Sequence, residues 1–297
     1  MMRPFVHRVL QQEDLNFILT NRIPRQLLTR FMGWFSTIEQ PVVRDLSIAA
    51  LQYFAGDLQL HEARKSRFRS LHDCFTRELK DDVRPLDHRP GVIVSPCDGI
   101  VGASGRIRAG ELVQAKGMTY ALDDLVGDAS IVERYRDGIY VTLRLTAGMY
   151  HRFHAPADGA VREVRYISGD VWNVNPIALA RVARLFCKNE RAVIPLVLEG
   201  SSESVVLVPV AAILVACIEL GFLGAPLDLK YRGPNLIACD RRFRKGDELG
   251  YFRHGSTIIV LGSPGLSLCE GVIQGTRIRM GEALLDHRTA PGPSGTR

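Results

Sequence analysis

Three observations on this 297-residue chain predict an α+β fold, with N-terminal amphipathic helices followed by a mainly antiparallel β domain. Apolar residues recur at helical spacing near the start. Further on, short β-branched runs alternate with Gly and Pro turns. The most apolar stretch, Val205 to Ile218, is too short to cross a bilayer as a helix and is rich in β-branched residues.

The helical period is carried by Ile23, Leu27, Leu28, Phe31, Met32 and Phe35, and Pro24 suits a first turn. Arg22, Arg25 and Arg30 accompany them with no acid between. A basic amphipathic helix of this kind can lie among lipid headgroups, each cation near anionic lipid contributing about 1 kcal/mol. The same periodicity fits a helix packed on the protein core or on a second subunit. A second helix is predicted over Val42 to Phe54, and a further helical segment over Glu62 to Arg69. The helical section is thus placed at residues 1–66 and the β domain at 67–297.

Strands are predicted at Val92-Ile93-Val94, at Ile139 to Leu145 with partial alternation, once or twice within Val205 to Ile218, and at Ile258 to Leu261. A helix over Ile177 to Phe186 packs on the sheet. The final residues, Thr289 to Arg297, have the composition of a disordered tail.

Hydrophobic residues make up 46% and charged residues 24%, which is ordinary globular usage and fits one large domain with an appendage. The formal charge is +6 and the pI about 9.1. The cations are spread along the chain, without a stacking-aromatic pattern, a recognition helix or a zinc finger, so nucleic acid is not the expected partner. Six scattered cysteines without a CxxC suggest neither zinc nor a disulfide framework, and a reducing compartment is expected. Met1 to Arg8 lacks the apolar core of a secretory signal, so no export is indicated.

The chemistry concentrates at Gly255-Ser256-Thr257, just ahead of the Ile258 strand. Glycine leaves its carbonyl unshielded and its backbone permissive, so the following hydroxyl can approach it. Alone, a Gly-Ser step is an ordinary turn, as Gly200-Ser201 and Gly262-Ser263 illustrate. A serine that attacks an amide needs a base, usually histidine, and an orienting carboxylate. Candidates stand where strands give way to turns: Asp98 in Ser95-Pro96-Cys97-Asp98-Gly99, and His151 and His154 in Tyr150-His151-Arg152-Phe153-His154-Ala155-Pro156. On an extended strand, residues three apart face opposite sides, so the backbone must turn if both histidines are to reach one pocket.

These blocks, together with Cys74 to Leu79, Val83-Arg84-Pro85-Leu86-Asp87, Gln114-Ala115-Lys116-Gly117, Gly169-Asp170, Asn173-Val174-Asn175-Pro176, Leu185 to Arg191 and His254-Gly255-Ser256-Thr257, occur in an order that resembles the pyruvoyl-dependent phosphatidylserine decarboxylases. The likeness runs from about Phe31 to Gly281. It implies a proenzyme that cuts itself between Gly255 and Ser256 into chains 1–255 and 256–297. Asp98 would orient His154, and His154 would take the Ser256 proton. The resemblance further implies that Ser256 becomes a covalent pyruvoyl group, which forms a Schiff base with phosphatidylserine and accepts electrons as CO2 departs, leaving phosphatidylethanolamine. No metal or diffusible cofactor is implied. His151 would act in the decarboxylation phase, by protonating the carbanion or positioning the carboxylate; a structural role behind the site is the alternative. The family pattern also implies a homodimer of two-chain protomers, peripheral on the cytoplasmic face of the cell membrane.

One block departs from that pattern. Where the family carries Val-Gly-Ala and then Val-Gly-Ser-Ile, this chain has Val210-Ala211-Ala212-Ile213-Leu214-Val215-Ala216-Cys217-Ile218. The added methyls narrow any close backbone approach and a hydroxyl is lost, which bears on substrate identity more than on self-processing. A pyruvoyl decarboxylase of another amino acid or serine headgroup is the second reading, and a non-catalytic lipid-binding relative the third.

Overall fold

The computed structural model describes residues 14, 17, 24–115, 117–214, 217–253 and 256–287. Arg22, Ile23, His254, Gly255 and the tail therefore lie outside the described residues, and with them the carbonyl side of the expected cleavage site.

Helices α1 (Arg25–Phe35) and α2 (Pro41–Ala55) match the two predicted N-terminal helices. Pro24 stands at the N-cap of α1, one position earlier than expected. Pro41 takes the first turn of α2, where the Gln40 side chain accepts the Val43 N–H at 2.7 Å. One face of α1 is docked: Arg25 pairs with Asp170 and stacks 3.8 Å over Trp172, and Thr29 Oγ1 accepts the Leu214 N–H at 3.0 Å. The opposite face leaves Leu27, Phe31 and Trp34 exposed, and α2 adds Val42, Leu46 and Phe54. The docked face agrees with the reading of a helix packed on the protein core, and the opposite face is open.

No helix forms over Glu62 to Arg69. A single 3-10 turn at Leu60–Glu62 gives way to extended backbone, whose groups pair with residues 78–80 instead: Arg64 N–H to Glu78 O at 2.9 Å and Lys80 N–H to Glu62 O at 2.8 Å. Ala63 and Phe68 turn inward with Cys74, a spacing that no single helical stripe supplies. Helix α3 (Leu71–Phe75) follows, with Ser70 as its cap.

The β region begins with β1 (Ile93–Val94), β2 (Gly99–Arg106), β3 (Glu111–Ala115) and β4 (Met118–Ala121), then helices α4 (Leu122–Val126) and α5 (Ala129–Tyr135). It continues through β5 (Ile139–Arg144), β6 (Arg152–His154) and β7 (Gly159–Ile167) to helices α6 (Pro176–Arg181) and α7 (Leu185–Lys188). These two short helices replace the single one expected over Ile177 to Phe186, because Arg184 adopts a φ of 53° that no helix interior tolerates. The remaining strands are β8 (Arg191–Leu198), β9 (Ser204–Val210), β10 (Cys217–Leu220), β11 (Leu227–Asp228), β12 (Leu236–Phe243), β13 (Glu248–Phe252), β14 (Thr257–Gly262), β15 (Leu266–Leu268), β16 (Arg277–Ile278) and β17 (Ala283–His287).

An eight-stranded sheet, ordered β12-β7-β8-β9-β14-β5-β2-β16 and antiparallel throughout, forms the centre. The four-stranded sheet β11-β10-β13-β6 covers one face through Phe153, Ile218, Leu249 and Phe252. Helices α4 to α7 and the β3–β4 hairpin cover the other through Leu122, Leu125, Leu185 and Phe186. Strand β14 therefore sends Ile258 and Val260 into one core and Ile259 and Leu261 into the other, and every residue of β9 and β14 is buried. Burial on both faces explains why these runs are continuously apolar rather than alternating. Each such side chain contributes about 1.5–3 kcal/mol.

Candidate active site

Ser256 stands one residue before β14, the strand flanked by β9 and β5. Its carbonyl accepts the Leu145 N–H at 2.9 Å, which fastens it to the rigid centre of the sheet. The residue is 1% exposed, and its Oγ has no hydrogen-bond partner. A buried hydroxyl left unpaired costs about 1–3 kcal/mol, a cost that proteins retain where the group reacts.

That hydroxyl borders a chamber of about 390 Å³. Its walls are Met32 of α1, Leu51 of α2, Leu71 and Phe75 of α3, the end of β5 from Arg144 to Ala147, and the segments Asn173 to Asn175 and Ala212 to Leu214. A second, apolar trough of about 540 Å³ lies between α1 and α2, sharing Met32, Leu51 and Leu71 and adding Phe35, Val43, Leu46 and Phe54. An apolar path therefore leads from Ser256 toward the exposed face of the helix pair.

The two histidines have different surroundings. His151 is fully buried; its Nδ1 donates to Met149 O at 2.8 Å, which leaves Nε2 as the basic nitrogen. The ring packs 4.0 Å from that of Phe75, a wall of the Ser256 chamber. Its carbonyl accepts the N–H of Phe252, the last residue of β13, at 3.0 Å, so His151 is tied to the strand that leads toward the expected scissile bond. His154 ends β6, where Nδ1 donates to Gly246 O at 2.8 Å and Nε2 accepts from Tyr150 OH at 2.9 Å. Gly246 takes a φ of 89°, which a side chain would strain, and this turn aims its carbonyl at the imidazole. Burial lowers the His154 pKa more than the Gly246 carbonyl and the charges of Glu248 and Asp98 raise it, so the ring is a neutral base at pH 7.

Asp98 is bound into an ionic cluster. Its carboxylate accepts Arg84 Nε at 2.9 Å, Arg84 Nη2 at 2.7 Å and the Met280 N–H at 2.9 Å, while Arg84 also reaches Glu62 at 2.8 Å. The turn carrying Asp98 touches the histidine segment through its backbone, Pro96 O accepting the His154 N–H at 2.8 Å. The side chains do not join: no hydrogen bond links Asp98 to His154, or His154 to Ser256, in this arrangement. Arg84 and Tyr150 hold the groups that such a relay would use.

Sequence reasoning singled out neither Arg84, Tyr150, Gly246 nor Phe75 as individual site residues, although all but Gly246 stand inside quoted blocks. Arg144 also escaped notice, and it carried a signal, being the one charge in the apolar run Ile139 to Leu145. Other polar residues of those blocks are internal braces. Gln114 bonds Leu185 N–H and the Leu179 and Val182 carbonyls, and the Arg191 guanidinium donates to four carbonyls, those of Asp124, Leu125, Cys187 and Asn189.

Among the described residues, no three His, Cys, Asp or Glu side chains gather as metal ligands, and no helix is long and apolar enough to cross a membrane. The phosphatidylserine decarboxylase family model matches residues 71–286. A phosphatidylserine decarboxylase proenzyme of Acinetobacter baumannii is 36% identical over 253 residues, covering 84% of this chain and 88% of its own. The proenzyme of the same name from Vibrio cholerae is 35% identical over 275 residues, with 88% and 94% covered, and that of Brevibacillus brevis is 33% identical over 270 residues, with 90% and 95% covered. With the model match spanning both histidines, Asp98 and Ser256, and similarity of this extent, the chain belongs to the phosphatidylserine decarboxylase family.

Proposed function

We propose that this chain is a phosphatidylserine decarboxylase proenzyme that cuts itself between Gly255 and Ser256, and then removes the carboxylate of phosphatidylserine as CO2 to leave phosphatidylethanolamine. The observation that carries this reading is the unpartnered Ser256 Oγ, buried at the head of a central strand and opening onto a chamber that continues into an apolar trough. A free amino acid has no use for such a trough, whereas acyl chains do.

In the cleavage step, Ser256 Oγ attacks the Gly255 carbonyl while His154 Nε2 takes its proton and passes it to the departing Ser256 nitrogen, so that an ester replaces the amide. β-Elimination then releases the Gly255 carboxylate and leaves a dehydroalanine, which hydrolyses with loss of ammonia to the pyruvoyl group. For the attack, His154 exchanges Tyr150 for Ser256 at Nε2, and Asp98 turns from Arg84 to take Nδ1–H from the Gly246 carbonyl and steady the ring. The surroundings fit a pyruvoyl group at position 256: the residue is small, enclosed and held through its carbonyl by Leu145 N–H. When formed, that group supplies an electrophilic carbonyl that holds the substrate amine and draws electrons from the bond to CO2. The apolar walls keep water from the reacting carbon, and His151 Nε2 takes a proton from the substrate ammonium as the amine is bound and returns it to the carbon that CO2 leaves. Chain 256–297 stays attached to chain 1–255, because β14 is hydrogen-bonded on both sides and β15 to β17 pair with one another and with β1 and β2.

Residues 1–66 form the membrane-associating section and 67–297 the catalytic domain. The exposed apolar side chains of α1 and α2, with Arg30 nearby, suit a peripheral position on an anionic surface, the cytoplasmic face of the cell membrane, as a homodimer of two-chain protomers. Denaturing electrophoresis and a CO2 assay on phosphatidylserine in mixed micelles test the whole reading. Wild type runs as two chains and releases CO2, and Ser256→Ala runs as one and releases none. A wild type that stays in one piece would mark a lipid-binding relative instead; two chains that act only on free amino acids would mark a different decarboxylase.

A further inference from the structure

Arg144 closes β5 directly opposite Thr257, one position from Ser256. It is the only charged side chain bordering the Ser256 chamber among the described residues, and it is half-buried. Among the described residues its guanidinium makes no hydrogen bond and no ion pair. Other buried arginines have partners: Arg77 donates to the Leu58, Gly148 and Met149 carbonyls, Arg84 binds Asp98 and Glu62, and Arg191 binds four carbonyls. Residues paired across a ladder, and those two apart on one strand, share a face, so Thr257 and Thr142 flank Arg144. Both hydroxyls are buried and lack partners. The result is a row of groups able to donate, Thr142, Arg144 and Thr257, beside the reactive serine with no carboxylate among them. Desolvation holds the Arg144 pKa below the ordinary arginine value, as expected for a cation awaiting an anion.

On the reading proposed above, the substrate brings two anions. A guanidinium on the carboxylate would stabilise the ground state and be lost as CO2 forms, which raises the barrier. The phosphodiester keeps its charge throughout and offers two oxygens to a planar fork. It also lies between the acyl chains and the serine headgroup, as Arg144 lies in the chamber that joins the trough to Ser256. We propose that Arg144 is the phosphodiester-binding residue of this chamber, positioning the lipid so that its serine headgroup meets residue 256.

The test compares phosphatidylserine with an O-acyl serine that lacks phosphate, both in mixed micelles, for wild type, Arg144→Gln and Arg144→Lys. Loss of a charged hydrogen bond predicts that Arg144→Gln lowers the phosphatidylserine to O-acyl serine ratio of kcat/KM by roughly 10- to 100-fold, mainly through KM, with Arg144→Lys recovering part of it. An unchanged ratio overturns the proposal, whether activity is lost equally on both substrates, which assigns Arg144 to the carboxylate, or on neither. A wild type that releases no CO2 from phosphatidylserine overturns instead the function on which the inference rests. Should Arg144→Gln fail to mature, binding of short-chain phosphatidylserine to uncut Ser256→Ala, with and without Arg144→Gln, decides the matter: weakening of the same order supports the assignment, and equal affinity refutes it.

Discussion

The lone pair of His154 Nε2 is taken by Tyr150 OH while Nδ1–H donates to Gly246 O, so the imidazole is neutral, oriented and engaged before any cleavage. Tyr150 competes with Ser256 for the same nitrogen. Removing one hydrogen bond worth about 1 kcal/mol predicts that Tyr150→Phe quickens self-cleavage roughly fivefold, followed as the disappearance of full-length chain. A slower variant would place Tyr150 inside the proton path. Because burial lowers the His154 pKa, its basic form persists below the ordinary histidine value of about 6.5. The cleavage rate should therefore be flat from pH 8 to about 6.5 and fall only below it; a decline already beginning near pH 7.5 would mean that another group is the base.

At the scale of elements, strand β14 joins the fold to the chemistry. It sits between β9 and β5, and Ile259 has no solvent exposure. Ile259→Ala should cost about 2–5 kcal/mol in denaturant unfolding of the uncut Ser256→Ala chain. A loss under 1 kcal/mol would show that the strand is not the rigid support argued for Ser256. Helices α1 and α2 contribute the opposite property, an open apolar face with Leu46 and Phe54 each 67% exposed. Replacing both by serine should weaken binding to anionic vesicles at least tenfold in a flotation assay while leaving self-cleavage intact, since neither residue borders the Ser256 chamber. Unaltered vesicle binding would move the membrane contact elsewhere.

At the scale of the whole molecule, Glu190 lies between the sheet and its covering layer with no solvent exposure, hydrogen-bonded by Tyr166 OH. Burial, opposed by that hydrogen bond and helped by Asp228, pushes its pKa up to about 7 from 4.5. Between those values the folded chain keeps a proton that the unfolded chain has released, so stability declines as pH rises through this window and levels off above it. The decline should amount to about 3 kcal/mol at most, and Glu190→Gln should abolish it in urea titrations from pH 4.5 to 8. A slope unchanged in the variant would remove Glu190 as its source.

Much of the architecture was legible in the chain itself. Continuous β-branched runs such as Ile258 to Leu261 can be buried only on two sides, and the period of Leu27, Leu28, Phe31 and Met32 admits only a helix. Local pattern failed where tertiary pairing decided the outcome. The 62–69 segment yields its backbone to residues 78–80, and Arg184 breaks a helix through a backbone angle that no propensity encodes. At the candidate site, residue types and order singled out Asp98, His151, His154 and Ser256 as candidates, but not the partners that surround them. Arg84, Tyr150 and Gly246 come from turns and strands distant in sequence from the groups that they hold, or in Tyr150's case hide beside a more conspicuous histidine.

The central claim is that Ser256 is released from Gly255 and becomes a pyruvoyl group, and the most direct measurement is the intact mass of the short chain from active enzyme. The account predicts a chain 256–297 whose first residue lacks the amine, carries a ketone that reacts with hydrazine, and resists N-terminal sequencing. An active enzyme with position 256 still an unmodified serine would contradict it.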